Sequence, residues 1–328
     1  MNKRRRANLK MQLKIKSSKL KTVKVFFLAS RPKFLIASAG PVLVGSALGY
    51  ATSNTFHPLL FVLGLLSIMA LHSGANLTND YFDHISGNDW ANKNPTPFSG
   101  GSRYIQKGIL SPKAVLLLTI IALAVGSAIG VVILFLTRSL FIFILGLVGL
   151  LGGFFYTAPP FKLGYRCVGE FVIALLFGLL PVYGSYYLQT GTIDTIPILP
   201  ACIVSILIFL VILVNEFPDA AADAAVNKRT LVVRFGTPIS VWIYRIALII
   251  SFIIAIALLT YRLMFFAGLF YLLTLPIAIV AIKAVNKVDL VKPGQYRASQ
   301  ITVLLHTLGS LALTAGFIIS GLSLACLI

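Results

Sequence analysis

Only nine of the 328 residues are acidic, and six of the nine fall in two short runs. The first reads Asn76-Leu-Thr-Asn79-Asp80-Tyr-Phe-Asp83, with Asp89 shortly after it. The second reads Asn215-Glu216-Phe-Pro-Asp219-Ala-Ala-Ala-Asp223. Asn79 and Asp83 stand four apart, as do Asn215, Asp219 and Asp223, while Asn76, Asp80 and Asp83 follow an i, i+4, i+7 course. On a helix, residues so spaced share one face, so each run presents a strip of oxygen ligands. Two facing strips of carboxylates repel unless cations lie between them. Hard, oxygen-seeking Mg2+ suits such a place when a substrate's phosphates complete its shell. Lys228 and Arg229 follow the second run closely, and Arg103 and Lys162 lie in connections expected on the same side. Metal with Lys and Arg is the clamp expected for a diphosphate leaving group. Taken singly, each of these is equally well read as a solvated acid or an ordinary basic loop residue. The paired pattern in a chain this poor in acids favours a site.

The elements that must carry these residues are membrane helices. Hydrophobic residues make up 58% of the chain and charged residues 11%, against about 25% charged in soluble domains. Apolar stretches near the length of a membrane crossing recur from Phe34 onward. They predict an all-α, polytopic membrane bundle of about nine transmembrane helices, near 34–53, 58–80, 114–136, 139–156, 168–188, 196–216, 238–259, 263–282 and 300–326. Pro41, Pro181, Pro200 and Pro276 then fall inside spans as tolerated kinks. Both acidic runs fall at the ends of even-numbered spans, on one side of the membrane. Of the 28 basic residues, 25 sit in the N-terminal segment or the even-numbered connections, which predicts a cytoplasmic N-terminus. The loop 81–111, rich in Gly, Asn and Pro, is expected either to cover the cavity as a lid or to be a disordered connector.

The formal net charge of +19 does not point to nucleic acid. Twelve basic residues crowd the first 33 positions, where they read as an anchor on anionic headgroups. The expected division is a basic cytoplasmic tail over 1–30 and one transmembrane domain over 31–328. That tail is too long and lacks the small-residue cleavage site of a signal peptide. Cys167, Cys202 and Cys326 are too scattered for a disulfide framework or a metal cluster.

At the two acidic runs the chain resembles the UbiA superfamily of intramembrane prenyltransferases, and within it the menaquinone-pathway 1,4-dihydroxy-2-naphthoate polyprenyltransferases. The first motif reads NLTNDYFDHISGND, its last Asp falling ten positions after Asn79, later than in the ubiquinone-type branch. Tyr156-Thr-Ala-Pro-Pro-Phe-Lys-Leu-Gly-Tyr165 with Gly169-Glu170, Gly184-Ser-Tyr-Tyr-Leu-Gln-Thr-Gly191, Lys228-Arg-Thr-Leu231, Arg234-Phe-Gly236 and Arg31-Pro-Lys33 are similar to the menaquinone-type pattern. One departure is Asn215-Glu216-Phe-Pro-Asp219, where Asn or Asp more often follows the first Asn and a basic residue precedes the Asp.

The resemblance implies Mg2+-dependent transfer of a polyprenyl group from its diphosphate to an aromatic acid. The acceptor would be 1,4-dihydroxy-2-naphthoate, which loses its carboxylate to give demethylmenaquinone. Asn79, Asp83, Asn215, Asp219 and Asp223 would hold the metal, and Lys162, Lys228 and Arg229 would neutralise the leaving diphosphate. Asp80, Asp83, Asp219 and Asp223 are the catalytic candidates. Asn76, Asn79, Asp89, Arg103, Tyr156, Lys162, Asn215, Lys228 and Arg229 are the substrate-binding ones. Tyr81 or Tyr156 would face an allylic cation through its ring, and Glu170 and His84 are candidates for placing the acceptor. Partners are then the two substrates and the lipid bilayer, with the active site toward the cytoplasm of the inner membrane. Other acceptors (4-hydroxybenzoate, homogentisate, a lipid precursor) stay open. An ion-coupled transporter is the rival from another class, but no acids mark the midplane of the spans as a carrier would require.

Overall fold

The computed structural model describes residues 24–325 apart from 287, 289 and 291, and the side chains up to 323. Most of the basic segment 1–30, Asp289 and Cys326 lie outside the described residues. Residues 24–29 are helical and lead into a 3-10 turn at Pro32–Phe34 and helix α1 (Ile36–Ser53). The other helices are α2 (Pro58–Ile85), the short α3 (Asn88–Ala91), α4 (Pro112–Thr137) and α5 (Leu140–Phe155). Then come α6 (Gly169–Ala174), joined through a π turn at Leu175–Leu179 to α7 (Leu180–Thr190), and α8 (Ile198–Ala225). Helices α9 (Leu231–Leu258), α10 (Phe265–Leu272), α11 (Leu275–Ala284) and α12 (Arg297–Ala325) complete the fold.

Local sequence explains where the helices begin and end. Pro58 and Pro112 occupy first turns, where a missing N–H costs nothing. Ser111, Ser139 and Thr230 accept from the backbone N–H of Ala114, Ile142 and Val233 as N-caps. Between these signals the segments are apolar all round, as helices facing both lipid and neighbours must be. Phe135, Leu140 and Leu273 are at least 70% exposed, which only a hydrocarbon solvent makes favourable. The chain is an integral membrane protein.

Seven of the described helical spans are long and apolar enough to cross a membrane, and α10 with α11, bent by 49°, make an eighth if taken together. The fourth expected span is helix α5, whose 16 residues fall short of a full crossing. Of the prolines expected within spans, Pro41 lies inside α1, and Pro181 and Pro276 lie inside their spans just after the π turn and the bend, whereas Pro200 sits in the first turn of α8. The second and sixth spans overrun their predicted ends by several residues, so α2 and α8 carry both acidic runs on continuous helix to Asp83 and Asp223. The expectation stopped where polarity begins, whereas the hydrogen-bonded helix continues beyond the apolar stretch.

Without a hydrophobic drive between helices in lipid, small residues let backbones meet. A Cβ at Gly45 of α1 would lie 2.2 Å from the carbonyl oxygen of Val182 in α7. That backbone cannot move aside without moving α7, which lines the cavity's apolar neighbour described below. Gly45→Val is therefore expected to destabilise the detergent-solubilised protein by about 1–3 kcal/mol, the range for overpacking, read as a lowered melting temperature.

Candidate active site

Helices α2, α5, α6 and α8 with the loop after α3 enclose a cavity of about 180 Å³. Its walls include Asn76, Asn79 and Asp83 from α2, Asn215, Glu216, Asp219 and Asp223 from α8, and Tyr156, Lys228 and Arg31. The two acidic runs thus face one space, although 132 residues separate Asp83 from Asn215 in the chain.

Lys228 stands between the strips. Its Nζ lies 3.7 Å from Asp83 Oδ2 and 3.3 Å from Asp223 Oδ1. Burial works against the ammonium, but the carboxylates of Asp83 and Asp223 outweigh it and hold the Lys228 pKa well above its ordinary value. The remaining oxygens are met by neutral donors. Asn79 Nδ2 donates to Asp83 Oδ2 at 2.8 Å, and the Tyr165 hydroxyl donates to Asp83 Oδ1 at 3.1 Å. Asn88 Nδ2 donates to Asp223 Oδ1 at 2.8 Å. Asp219 accepts from Asn92 Nδ2 at 2.7 Å and from the Gly100 N–H at 2.9 Å. Burial, and then the charge of Asp83, raise the Tyr165 phenol well above its usual range, so it stays a donor.

A second cluster lies behind the loop. Arg31 pairs with Asp80 and donates to Asn79 Oδ1 at 3.2 Å, and the Ser102 N–H donates to Asp80 Oδ1 at 3.2 Å. Asp89 accepts from Gln106 Nε2 at 2.9 Å, and Arg103 reaches the Asp89 carbonyl oxygen. Gly101, at φ 75°, threads between them: a Cβ there would lie 3.0 Å from Asp89 Oδ1 and 3.1 Å from Asp80 Oδ1. These contacts fix the 81–111 loop over the acidic end. Ser99, Gly100 and Gly101 form part of the cavity wall, so the loop is an ordered cover and not a disordered connector.

Several residues expected at the site point away from this cavity. Asp80 is turned to Arg31, and Asp89 and Arg103 to each other, so none of the three lines the cavity. Lys162 lies over the Tyr165 ring at 5.4 Å, outside the lining. Arg229 donates its backbone N–H to the Tyr165 carbonyl oxygen at 3.2 Å, and its exposed side chain stays outside the lining. Sidedness placed these bases near the site but does not set their direction. Tyr81 and His84 lie off the cavity, and Glu170 is buried behind it. Tyr156 is on the wall, its ring pressed against Gly164 and Gly169, which explains the glycines of that segment. Arg31, Asn88, Asn92 and Tyr165 were missed. The Arg-Pro-Lys signal at Arg31 was legible but sat within a run of basic residues.

Next to this polar cavity, toward the other end of the bundle, is an apolar chamber of about 270 Å³ between α1, α2, α4, α5 and α7. The two adjoin at successive residues: Leu71 and Leu176 line the chamber, His72 and Phe177 the cavity. The rings of His72 and Phe177 stand 4.4 Å apart, and His72 Nδ1 is 2.7 Å from Ser38 Oγ. Charge at one end and hydrocarbon at the other define a site for an amphipathic anion inside a membrane protein.

Comparison with known proteins agrees with that class. The model of the UbiA prenyltransferase family matches residues 38–304, and the chain belongs to that family. It is a prenyltransferase. It is 36% identical over 220 residues to the 1,4-dihydroxy-2-naphthoate octaprenyltransferase of Haemophilus influenzae, covering 65% of this chain and 70% of that one. It is 26% identical to the 2-carboxy-1,4-naphthoquinone phytyltransferase of Synechocystis, over 92% of this chain and 95% of that one. Among solved structures, a UbiA homologue from Archaeoglobus fulgidus with GPP and Mg2+ bound has the same fold, with a TM-score of 0.65 at 17% identity over 90% of this chain and 99% of that one.

The Asp89 carboxyl generates a prediction. Burial, and then the charge of Asp83, raise its pKa to about 7, against the opposing effects of Arg31, Arg103 and Lys228. An unfolded aspartate titrates near 3.9. Between about pH 4 and 7 the folded chain therefore holds a proton that the unfolded chain has lost, and stability falls as pH rises across that window. Asp89→Asn should flatten that part of the melting-temperature profile in metal-free detergent solution.

Proposed function

We propose that the chain transfers a polyprenyl group from its diphosphate to 1,4-dihydroxy-2-naphthoate, with loss of the carboxylate, giving the demethylmenaquinone skeleton. The carrying observation is that a carboxylate- and cation-lined cavity directly adjoins an apolar chamber. That layout matches a diphosphate head with a hydrocarbon tail. The relatives are named for a dihydroxynaphthoate and a carboxynaphthoquinone acceptor, which supports this choice of acceptor over other aromatic acids.

The residues present fit Mg2+. Asn79, Asp83, Asn215, Asp219 and Asp223 offer only oxygen acceptors or amides, and Asn215 Oδ1 is buried without a donor. Among the described residues no three acids, histidines or cysteines already converge on one point. A hard cation here would be shared between protein carboxylates and substrate oxygens. When bound, Mg2+ supplies Lewis-acid stabilisation of the departing diphosphate. Lys228 and Arg31 supply fixed positive charge on the same wall. The allylic C–O bond breaks with its electron pair leaving on the diphosphate. The Tyr156 ring faces the resulting allylic cation through its π surface. The electron-rich naphthoate carbon attacks that cation to form the new C–C bond. Loss of the carboxylate as CO2 returns an electron pair to the ring and restores its aromaticity. His72 and Phe177, beside the apolar chamber, keep water from the cation.

In this reading the acidic end and the N-terminus face the cytoplasm of the inner membrane, supported by 25 of 28 basic residues on that side. Residues 1–30 form a basic tail on the headgroups, and 31–328 one transferase domain.

The test is a membrane assay with radiolabelled polyprenyl diphosphate, Mg2+ and a panel of aromatic acids. Product is expected with dihydroxynaphthoate, is abolished by EDTA, and falls at least about 100-fold in Asp83→Asn and Asp219→Asn, the upper end of what losing a metal-supporting partner costs. Well-folded wild type that prenylates no aromatic acid would sink the reading. A second expectation concerns the tail. A Cβ at Gly149 on α5 would meet nothing within 4 Å, so Gly149→Leu projects into the chamber. It should spare turnover of geranyl diphosphate and cut that of octaprenyl diphosphate about tenfold or more, since each displaced methylene forfeits about 0.8 kcal/mol.

A further inference from the structure

Every carboxylate at the rim of the cavity has a protein donor, but the deeper wall is different. Asp83 and Asp223 share Lys228 and take amide or phenol donors, and Asp219 takes Asn92 and the Gly100 N–H. Glu216, one position after Asn215 on α8, is turned about 100° away from the Asn215-Asp219-Asp223 strip by helical geometry. It lines the cavity, is 6% exposed, and its Oε2 has no donor. The Glu216 carboxyl meets that of Glu170 at the start of α6. Glu170 is 1% exposed, accepts the Leu231 N–H at 2.6 Å on Oε1, and has no donor for Oε2. Leu231 begins α9, so the pair is braced by the helix start that follows Lys228.

Resting on the prenyl-transfer reading above, we propose that Glu216, backed by Glu170, receives a phenolic hydroxyl of the aromatic acceptor and so selects acceptors that carry one. Buried acceptor atoms without donors are uncommon and costly. Glu170 Oε1 takes the one backbone N–H, while Oε2 of Glu170 and Oε2 of Glu216 are buried without a donor, which leaves the wall rich in acceptors. The nearby ammonium of Lys228 is engaged by Asp83 and Asp223. A diphosphate brings further negative charge and no donor of its own. An aromatic ring with hydroxyls brings the missing O–H, and Tyr156 on the same wall offers a flat face for that ring. A pair serving only to join α6 to α8 would not need to open onto the cavity.

The experiment uses the full-length chain in nanodiscs with Mg2+ and one prenyl diphosphate. It compares 1,4-dihydroxy-2-naphthoate with 1-hydroxy-4-methoxy-2-naphthoate, in which methylation keeps the ring electron-rich and removes the 4-hydroxyl donor, the remaining 1-hydroxyl being bonded to its own neighbouring carboxylate. Wild type should favour the hydroxyl compound in kcat/KM by about 100-fold, since sites built to bond a hydroxyl reject analogues lacking it strongly. Glu216→Ala should bring that ratio near one and raise KM for the acceptor, while KM for the diphosphate stays within about twofold, as expected when an acceptor contact alone is lost. Glu216→Gln keeps the side-chain shape and one acceptor oxygen, and should give an intermediate ratio even if the alanine variant does not fold. An unchanged ratio in the glutamine and alanine variants, or a donor KM that rises as much as that of the acceptor, overturns the inference and leaves prenyl transfer standing. Wild type that prenylates neither naphthoate removes both.

Discussion

The bundle depends on one electrostatic constraint: carboxylates from two distant helices are brought together where charge is costly to bury. Such a cluster persists only if each negative charge is met by a cation or by strong donors. Lys228, between Asp83 and Asp223, is the protein's own answer, and Arg31 performs the same service for Asp80. Both bases sit at the junction of a helix and a loop, so the cations that make the acidic end stable also fix how the helices leave it. The ion pairs are therefore better regarded as conditions for the fold than as additions to its stability, since removing one partner leaves a buried charge uncompensated.

The same acids organise the loop that covers them. Asp219 holds the Gly100 N–H and Asn92, while Asp80 holds the Ser102 N–H. A segment rich in Gly and Asn has little apolar surface to bury, and these bonds supply the order that packing cannot. Placement of the loop and placement of a cation thus draw on one set of oxygens, and whatever occupies Asp219 acts on the backbone at Gly100. Farther from the acids, direct backbone contact such as Gly45 on Val182 sets helix spacing. Charge fixes one end of the cavity and close packing the other.

How much of this was legible follows from the range of each interaction. Spacing within a helix is local, so the strips Asn79/Asp83 and Asn215/Asp219/Asp223 could be read directly, and hydropathy gave most of the spans. Asp80 shares that spacing, yet its partner Arg31 lies 49 residues away and draws it out of the cavity. Charge sidedness gave the membrane face of Arg103 and Lys162 but not their direction, which depends on Asp89 and the Tyr165 ring. Arg31 was hidden for the opposite reason: the Arg-Pro-Lys pattern marks it within a run of bases, but nothing local shows that it turns inward. The order of the 92–102 segment was illegible because its bonds run to residues far along the chain.

Polarity along the cavity's long direction then narrows the chemistry more than any single residue does. From Lys228 and the carboxylates the wall passes to Asn76 and Tyr156, then to His72 and Phe177, and beyond them to a chamber lined by Leu, Ile and Gly. A soluble anion would gain nothing from the far half, and a neutral lipid nothing from the near one. Only a molecule with a concentrated negative head and an apolar tail uses both, and its reactive bond must then lie where the two halves meet. At that place water is scarce, aromatic faces are close, and a carbon cation can last long enough to be captured by a second substrate. The layout therefore accounts for an embedded enzyme on physical grounds: the site needs a dry junction between charge and hydrocarbon, and a bundle already immersed in lipid supplies one side of it.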